Sequence, residues 1–269
     1  MDAPLVRAFL DALAPAAPDP ERVRRCLAAL QRPDIRYLVA TVAGPGAGRV
    51  ARVIRGVVEA AGAPTGTVDG SARLGGAPLD DPLVASAGTL LADAALLLSQ
   101  EGTELVRREA DVLLALVAFA QASRRVALLV DEDVRTDDPL HVPVPDLVVL
   151  CGLDGERADR ALSLLPDARP VVACGADDPA RERILAVTGE RGLPLLLAGR
   201  DFAATGDGPA LDVEVAGERY AALPRAPEVT PDELATGIAG ALALGALGIR
   251  MREEWVHTGA AAARATMDA

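Results

Sequence analysis

The chain has 269 residues, of which 51% are hydrophobic and 2% aromatic, and its formal charge is −12. An acidic balance of this size argues against a nucleic-acid-binding protein, which normally presents a basic face, and against binding to an anionic membrane surface. The length fits one large α/β domain, so we expect a single domain over residues 1–269 with a core of leucine, valine and alanine.

The N-terminal part predicts helices on either side of a strand and a glycine-rich loop. Residues 4–14 and 21–30 have the apolar spacing of amphipathic helices. Residues 35–42 are rich in β-branched and aromatic side chains, which favours a strand. Residues 44–48 form the loop, and residues 49–61 place several valines and an isoleucine on one face of a further helix.

The rest of the chain alternates strands and helices. Strands are predicted over residues 65–68, 126–130, 146–151, 170–174 and 193–198, with a hairpin over 211–215 and 218–222; helices are predicted over 80–98, 102–122, 155–164, 177–190, 231–247 and from 250 to the end. Such alternation is typical of a three-layer α/β fold, in which helices flank a mainly parallel sheet.

The glycine loop has the pattern of a phosphate site without its lysine. Gly44, Gly46 and Gly48 follow a predicted strand and open a helix, the setting in which backbone N–H groups hold phosphate. Working phosphate loops add a lysine for the outer phosphates and a hydroxyl for Mg²⁺. All 27 basic residues of this chain are arginine, so Arg49 is the cation here, and Val50 stands at the hydroxyl position. The loop is either a residual anion site or a purely structural turn.

Acidic residues offer candidate metal ligands. A cluster follows the strand at 126–130 and consists of Asp131, Glu132, Asp133, Asp137 and Asp138. Carboxylates suit Mg²⁺ or Ca²⁺, but the spacing matches no calcium loop, and a solvated loop is the simpler interpretation. Asp154, which follows the next strand, is a weaker metal candidate at the end of the sheet where ligands bind.

The remaining reactive side chains indicate a reduced, cytoplasmic protein without a zinc site. Cys26, Cys151 and Cys174 form no CxxC pair and no even framework. His141 and His257 lie far apart in the sequence, which gives no zinc pattern. The N-terminus lacks the features of a signal peptide, and we identify no apolar stretch of the roughly 18 residues that a membrane span needs. We therefore expect no membrane insertion.

Several short motifs resemble one family in their order and spacing. The loop sequence VAGPGAGRV over residues 42–50 stands where folylpolyglutamate synthases have VAGTNGKGS. Residues 65–68 and 73–79 resemble the turn and hairpin after the first helix of that family, and the GRDF sequence of residues 199–202 matches a family segment. Over about residues 22–263 the chain resembles the N-terminal, ATP-binding domain of folylpolyglutamate synthase, in the Mur ligase superfamily. The resemblance implies the P-loop NTPase-like central domain of a Mur ligase.

The departures from that family fall on the residues that carry its chemistry. The resemblance implies an ATP-dependent ligase that forms an amide (C–N) bond through an acyl phosphate, with ATP and Mg²⁺. The loop lysine corresponds to Gly48, or to Arg49 with a shift of one residue, and Leu129 or Asp131 lies nearest the magnesium-binding glutamate. Gly155 takes the place of a metal-binding histidine.

Two further parts of the family pattern are missing. A modified lysine of the superfamily corresponds to Arg160 or a neighbour, and an arginine cannot be carbamylated as a lysine can. The chain also ends where the smaller C-terminal ligase domain would begin, so we expect that domain to be absent.

These departures predict a non-catalytic domain without cofactor or metal that acts through a protein partner or as a homo-oligomer. Met251 and Trp255, close to the end of the chain, are the candidate interface residues, because tryptophan is favoured at interface hot spots. Two alternatives remain: a nucleotide sensor without turnover, and a working ATP- and magnesium-dependent ligase.

Overall fold

The structure, a computed structural model, describes residues 1–175 and 177–267. The helices described are α1 (Ala3–Ala12), α2 (Pro20–Ala29), α3 (Ala47–Ala60), α4 (Asp81–Gln100), α5 (Arg107–Gln121), α6 (Gly155–Ser163), α7 (Asp178–Glu190), α8 (Pro231–Ala246) and α9 (Glu253–Met267). The strands described are β1 (Leu38–Ala43), β2 (Thr65–Asp69), β3 (Ser71–Leu74), β4 (Ala77–Pro78), β5 (Val126–Asp131), β6 (Leu147–Leu153), β7 (Val171–Gly175), β8 (Leu195–Leu197), β9 (Phe202–Thr205), β10 (Ala210–Val215) and β11 (Glu218–Pro224).

The main sheet has eight strands in the order β4-β3-β2-β5-β1-β6-β7-β8. Parallel pairing joins β1 to β6, β6 to β7, β7 to β8 and β2 to β5. β3 and β4 add an antiparallel edge beside β2. The predicted α/β fold, a mainly parallel sheet flanked by helices, is therefore confirmed.

A second sheet is antiparallel and has the order β11-β10-β9. It contains the predicted hairpin, β10 with β11. The strand β9 was not predicted, because its four residues alternate too briefly to give a clear period.

The chain divides into two compact units. Unit 1 comprises Met1–Val39, Pro64–Leu129 and Asp137–Val144, and unit 2 comprises Ala40–Ala63, Val130–Thr136 and Pro145–Ala269. Each has an apolar core of mainly leucine, valine and alanine, as the composition predicts. Unit 1 also buries Phe119, whose ring meets that of Tyr37 edge-on with 6.3 Å between centroids. Whether the chain forms one domain remains a prediction.

Aspartate begins most of these helices. Five aspartate side chains accept a hydrogen bond from a backbone N–H in the first turn: Asp2, Asp19, Asp80, Asp154 and Asp177, for α1, α2, α4, α6 and α7. A carboxylate at this position satisfies an N–H group that has no partner within the helix and interacts well with the helix dipole. The chain contains no asparagine, and aspartate caps these five helices, whereas Thr230 caps α8.

The structure shifts two element boundaries around the loop. The strand begins at Leu38 rather than at residue 35, because Pro33–Arg36 forms a 3-10 turn that leaves Ile35 exposed. The following helix begins at Ala47 rather than at residue 49, so Gly48 and Arg49 belong to its first turn.

One helix contradicts the sequence analysis of apolar stretches. α4 has 20 residues, and an 18-residue window within it has a mean hydropathy of 1.6, so by length and composition this helix is apolar enough to cross a membrane. Its alanines and leucines outweigh the single Asp93 in that average, so the stretch was overlooked. The evidence for a membrane span is weak, because the core helices of globular proteins pass the same test.

Candidate functional site

The glycine loop of unit 2 is held against the end of β6. Gly44 and Gly46 have positive φ angles of +110° and +84°, which favour glycine. A Cβ atom on Gly44 would lie 2.0 Å from the carbonyl oxygen of Cys151, and one on Gly152 would lie 2.9 Å from that of Pro45. Gly44 in the loop and Gly152 in β6 are therefore both needed for the loop to pack against this strand, whatever the loop binds.

Three backbone N–H groups of the loop and the start of α3 are engaged by the protein itself. The N–H of Ala47 donates to the carbonyl of Gly44 at 3.0 Å, and that of Gly44 donates to the carbonyl of Asp131 at 2.9 Å. The N–H of Gly48 donates to the Glu132 carboxylate at 3.2 Å. Pro45 has no N–H to offer. A carboxylate therefore already accepts from the first turn of the helix, where a phosphate would have to bind.

A second carboxylate binds Arg49. The Nε of Arg49 lies 3.0 Å from each carboxylate oxygen of Glu233, and Nη2 lies 2.6 Å from Oε1. Glu233 belongs to the first turn of α8, where its other contacts form a capping box: it accepts from the N–H of Thr230 at 2.8 Å, and the Thr230 hydroxyl accepts from the N–H of Glu233 at 3.2 Å. The fork of Arg49 is thus paired with a carboxylate that is itself fixed to a helix.

The Glu233 carboxylate also lies over the loop. A Cβ atom on Gly46 would be 2.2 Å from its Oε1. Glu233 and Glu132 together, which we call the carboxylate plug, therefore face the three features that a phosphate would use: Gly46, the N–H of Gly48 and the guanidinium of Arg49.

The electrostatics agree with this arrangement. The hydrogen bonds from Arg49 to Glu233 raise the pKa of the guanidinium, and the charges of Glu233 and Glu132 raise it further. Burial raises the pKa of the Cys151 thiol, which donates to the carbonyl of Ala43 at 3.3 Å. The thiol is therefore protonated and unreactive as a nucleophile at neutral pH.

The acidic cluster after β5 is occupied by turn-forming hydrogen bonds. Both oxygens of Asp131 accept from backbone N–H groups, those of Asp133, Val134 and Arg135, at 2.8–3.1 Å. In unit 1, Asp138 accepts from the N–H of Leu140 at 3.0 Å and pairs with an arginine of α5 at 3.1 Å. These contacts give the two carboxylates a structural role in their loops.

Asp154 does not combine with other ligands either. It caps α6 by accepting from the N–H of Arg157 at 2.9 Å, and it pairs with the guanidinium of the same residue at 3.2 Å. Within residues 1–175 and 177–267, no three histidine, cysteine, aspartate or glutamate side chains are grouped so that they could hold a metal. Arg160, at the position of the modified lysine, lies 3.5 Å from Glu156 as an exposed helical pair.

Met251 and Trp255 lie in unit 2 near the start of α9. Trp255 is half-buried, and the guanidinium carbon of Arg252 lies 4.9 Å from the centroid of its ring. Met251 packs against Gly245 at the end of α8. Beside them, a cavity of about 470 Å³ is lined by Met251, Arg252 and Tyr220 among others. Half-exposure of the single tryptophan is compatible with an interface, which stays a prediction.

Sequence reasoning missed the carboxylate plug. The sequence places Glu132 in an acidic cluster and gives no sign that Glu233 belongs to the site. The two carboxylates lie 84 and 184 residues along the chain from the loop residues that they bind, so no local pattern links them. The Thr-Pro-Asp-Glu sequence of residues 230–233 is a readable capping-box signal, which locates Glu233 in a first helical turn but not beside the loop.

Comparison with known proteins supports the fold. No protein-family model matches the chain, and no curated protein matches it in sequence. Among solved structures, folylpolyglutamate synthetase from Lactobacillus casei is 22% identical, with a TM-score of 0.85 over 98% of this chain and 72% of that one. A complex of such a synthase with AMPPCP and folate is 21% identical, with a TM-score of 0.87 and the same coverage. The Mycobacterium tuberculosis enzyme complexed with ADP is 19% identical, with a TM-score of 0.81 over 97% and 65%.

These identities are low, so the similarity is one of fold. The chain has an α/β fold that it shares with folylpolyglutamate synthases, as the sequence motifs predicted, and it spans 65–72% of the lengths of those structures.

Proposed function

We propose that this chain is a non-catalytic relative of folylpolyglutamate synthase that acts through contacts with protein. The observation that carries the proposal is the carboxylate plug. Glu233 and Glu132 provide negative charge at the loop, where ATP would bring the negative charge of its phosphates. The triphosphate would have to displace both carboxylates, disrupt the capping box of α8 and separate the Arg49 pair.

The residues present do not fit the ATP and Mg²⁺ of the family. Cleavage of ATP needs the charge that develops on the phosphates to be neutralised by a metal and a cation. The chain has no lysine, Asp131 uses both carboxylate oxygens in its own turn, and Asp154 caps a helix. Arginine in place of the loop lysine is not a conservative change, because a planar fork replaces a compact ammonium group. We therefore expect neither ATP nor magnesium as a cofactor.

Two alternatives keep some support. Gly44, Gly46 and Arg49 retain the frame of a phosphate loop, and the structures with the same fold include complexes with AMPPCP and ADP. A nucleotide sensor without turnover, or an ATP-dependent C–N ligase with rearranged residues, would both have to move the plug away from the loop.

Isothermal calorimetry with ATP and Mg²⁺ tests the proposal. We expect the wild-type chain to bind with a Kd in the millimolar range or weaker. Glu233→Gln keeps the oxygen needed for the capping box but removes the charge, and Glu132→Gln does the same at Gly48. The double variant is expected to bind inorganic phosphate at least tenfold more tightly than wild type. Glu190→Gln, at an exposed position of α7, is the matched control and should change nothing.

Micromolar, magnesium-dependent binding of ATP to the wild-type chain would contradict the proposal. In that case, measurement of ADP release with candidate amino-acid acceptors would separate a ligase from a sensor.

We further propose that the surface around Met251 and Trp255 is one protein contact, made with a partner or a second copy in the cytoplasm. Its support is a half-exposed tryptophan stacked with Arg252 beside a cavity of about 470 Å³. Light scattering at increasing concentration is expected to give a mass above that of one chain for wild type and a lower mass for Trp255→Ala. An unchanged mass in Trp255→Ala, or a wild-type chain that stays monomeric, would count against this surface as a self-contact.

A further inference from the structure

An apolar groove lies on the surface of unit 1. It has a volume of about 250 Å³ and is lined by the end of α2, the 3-10 turn that follows, α4 and α5. Leu90 and Leu97 form its rim on α4, with 47% and 56% of their areas exposed, and the buried Ala94 lies between them. We call this the α4 groove. Exposed leucines on this scale along one groove are typical of an interaction surface.

The α4 groove also contains two unpaired opposite charges. Arg36 lies at the wall formed by the 3-10 turn, and Asp93 lies on α4; both are exposed. Among the residues that the structure describes, neither has a hydrogen-bond or ion-pair partner, whereas most other arginines are paired. A partner for this groove must therefore complement both a cation and an anion around an apolar strip.

We propose that the α4 groove is a two-fold symmetric interface with a second copy of this chain. In such an interface the same patch serves both partners, so a residue i that contacts j is matched by j contacting i. The α4 groove carries one cation and one anion and is therefore complementary to itself: Arg36 of each copy can pair with Asp93 of the other.

The spacing on α4 suits this arrangement. Leu90 and Leu97 are seven residues apart and so lie on one side of the helix, two turns apart. In an antiparallel pair of α4 helices, Leu90 of one copy faces Leu97 of the other, and Asp93 lies near the two-fold axis. The two Asp93 carboxylates, which would otherwise repel each other, are compensated by the two Arg36 guanidinium groups.

The inference goes beyond the proposed function, because it concerns a different surface and does not depend on whether the loop binds nucleotide. Sedimentation velocity of the full chain from about 1 to 100 µM tests it. We expect a concentration-dependent dimer. Leu97→Asp should raise the dimer Kd at least tenfold, whereas Leu185→Asp, at a leucine of α7 with 40% exposure, should leave it unchanged.

Charge reversal tests the symmetry itself. Arg36→Asp and Asp93→Arg should each weaken the dimer at least tenfold, because each places like charges opposite each other. Mixing the two variants should restore a dimer between them, since one then offers two cations and the other two anions. The double variant R36D/D93R should also dimerise.

Circular dichroism of each variant confirms that its helices are intact. A wild-type chain that is monomeric throughout the concentration range would overturn the proposal. So would a dimer that survives Leu97→Asp, a mixture of the two charge variants that stays monomeric, or a dimer lost in Trp255→Ala alone.

Discussion

The contact between α3 and α9 predicts that alanine in place of Gly259 destabilises the protein. Gly259 of α9 lies against the backbone of α3: a Cβ atom there would be 2.3 Å from the Cα of Val57 and 2.4 Å from its N. Gly56 of α3 is equally close to α9, since its Cβ would lie 2.4 Å from the carbonyl oxygen of Gly259. The two helices therefore meet backbone to backbone, and neither glycine has room for a methyl group.

Gly259→Ala sets two opposing effects against each other. Alanine favours a helix over glycine by about 1 kcal/mol. Restoring ordinary van der Waals contact from 2.3 Å requires α9 to move by roughly 1 Å, because the atoms it meets belong to the backbone and cannot rotate away. Overpacking of this kind costs about 1–3 kcal/mol, sometimes more. The difference between these two effects is a net loss of up to about 2 kcal/mol in the free energy of unfolding.

Gly189→Ala is the matched control, because Gly189 is also helical but a Cβ there meets nothing within 4 Å. It should stabilise the protein by up to about 1 kcal/mol. Urea denaturation measures both variants by circular dichroism and by fluorescence, and the single tryptophan, Trp255, reports on α9 itself. If Gly259→Ala proves as stable as Gly189→Ala, the inference that α3 and α9 meet without room for a methyl group is wrong.

Two other predictions concern buried polar groups of unit 1. Glu109 is fully buried and accepts from Arg22 at 2.7 Å and from the backbone N–H of Val106 at 3.1 Å. Arg22→Ala leaves this carboxylate without its cation and should lower the free energy of unfolding, measured by urea denaturation, by about 3–5 kcal/mol. The control Glu21→Gln changes an exposed ion pair and should lower it by less than about 1 kcal/mol. Burial raises the pKa of the Cys26 thiol from 9.0 to about 12. The unfolded chain therefore loses this proton at lower pH than the folded chain, so the free energy of unfolding should fall as pH rises above about 9. A thiol reagent at pH 8 should label Cys26 only in denaturant. Rapid labelling of Cys26 in the native chain would contradict this prediction.

Local sequence was sufficient for the elements that build the loop. The β-branched strand, the glycines and the valine-rich face of α3 each carry a signal within a few residues. The errors lie at boundaries, where local chemistry competes: Pro33 starts a 3-10 turn that takes Ile35 out of the strand. The start of α5 at Arg107, rather than at residue 102, has a similar cause, since Gly102 has a φ of +73° outside the helical region.

The candidate site was less predictable, because its decisive contacts are not local. Gly44, Gly46, Gly48 and Arg49 could be identified from the motif, but the partner of Arg49 comes from a helix that starts 182 positions later, at Pro231. The role of Asp154 as a helix cap was readable in principle, since an aspartate directly before a helix is the common capping residue. Asp154 also follows a strand, at the end of the sheet where ligands bind, and this position favours a metal site instead.

The mutual fit between the loop and β6 affects how such chains should be classified. Gly44 is glycine because the carbonyl of Cys151 leaves no space, and Gly152 is glycine because the carbonyl of Pro45 leaves little. Neither requirement involves a ligand. A genome survey that scores only the glycine spacing would therefore group this chain with ATP-hydrolysing enzymes. A more selective survey would also examine the residues at positions 132 and 233. Acidic residues there, together with an arginine in the loop, would indicate chains whose own carboxylates occupy the loop. Other residues at these positions would indicate chains whose loop is open to a nucleotide.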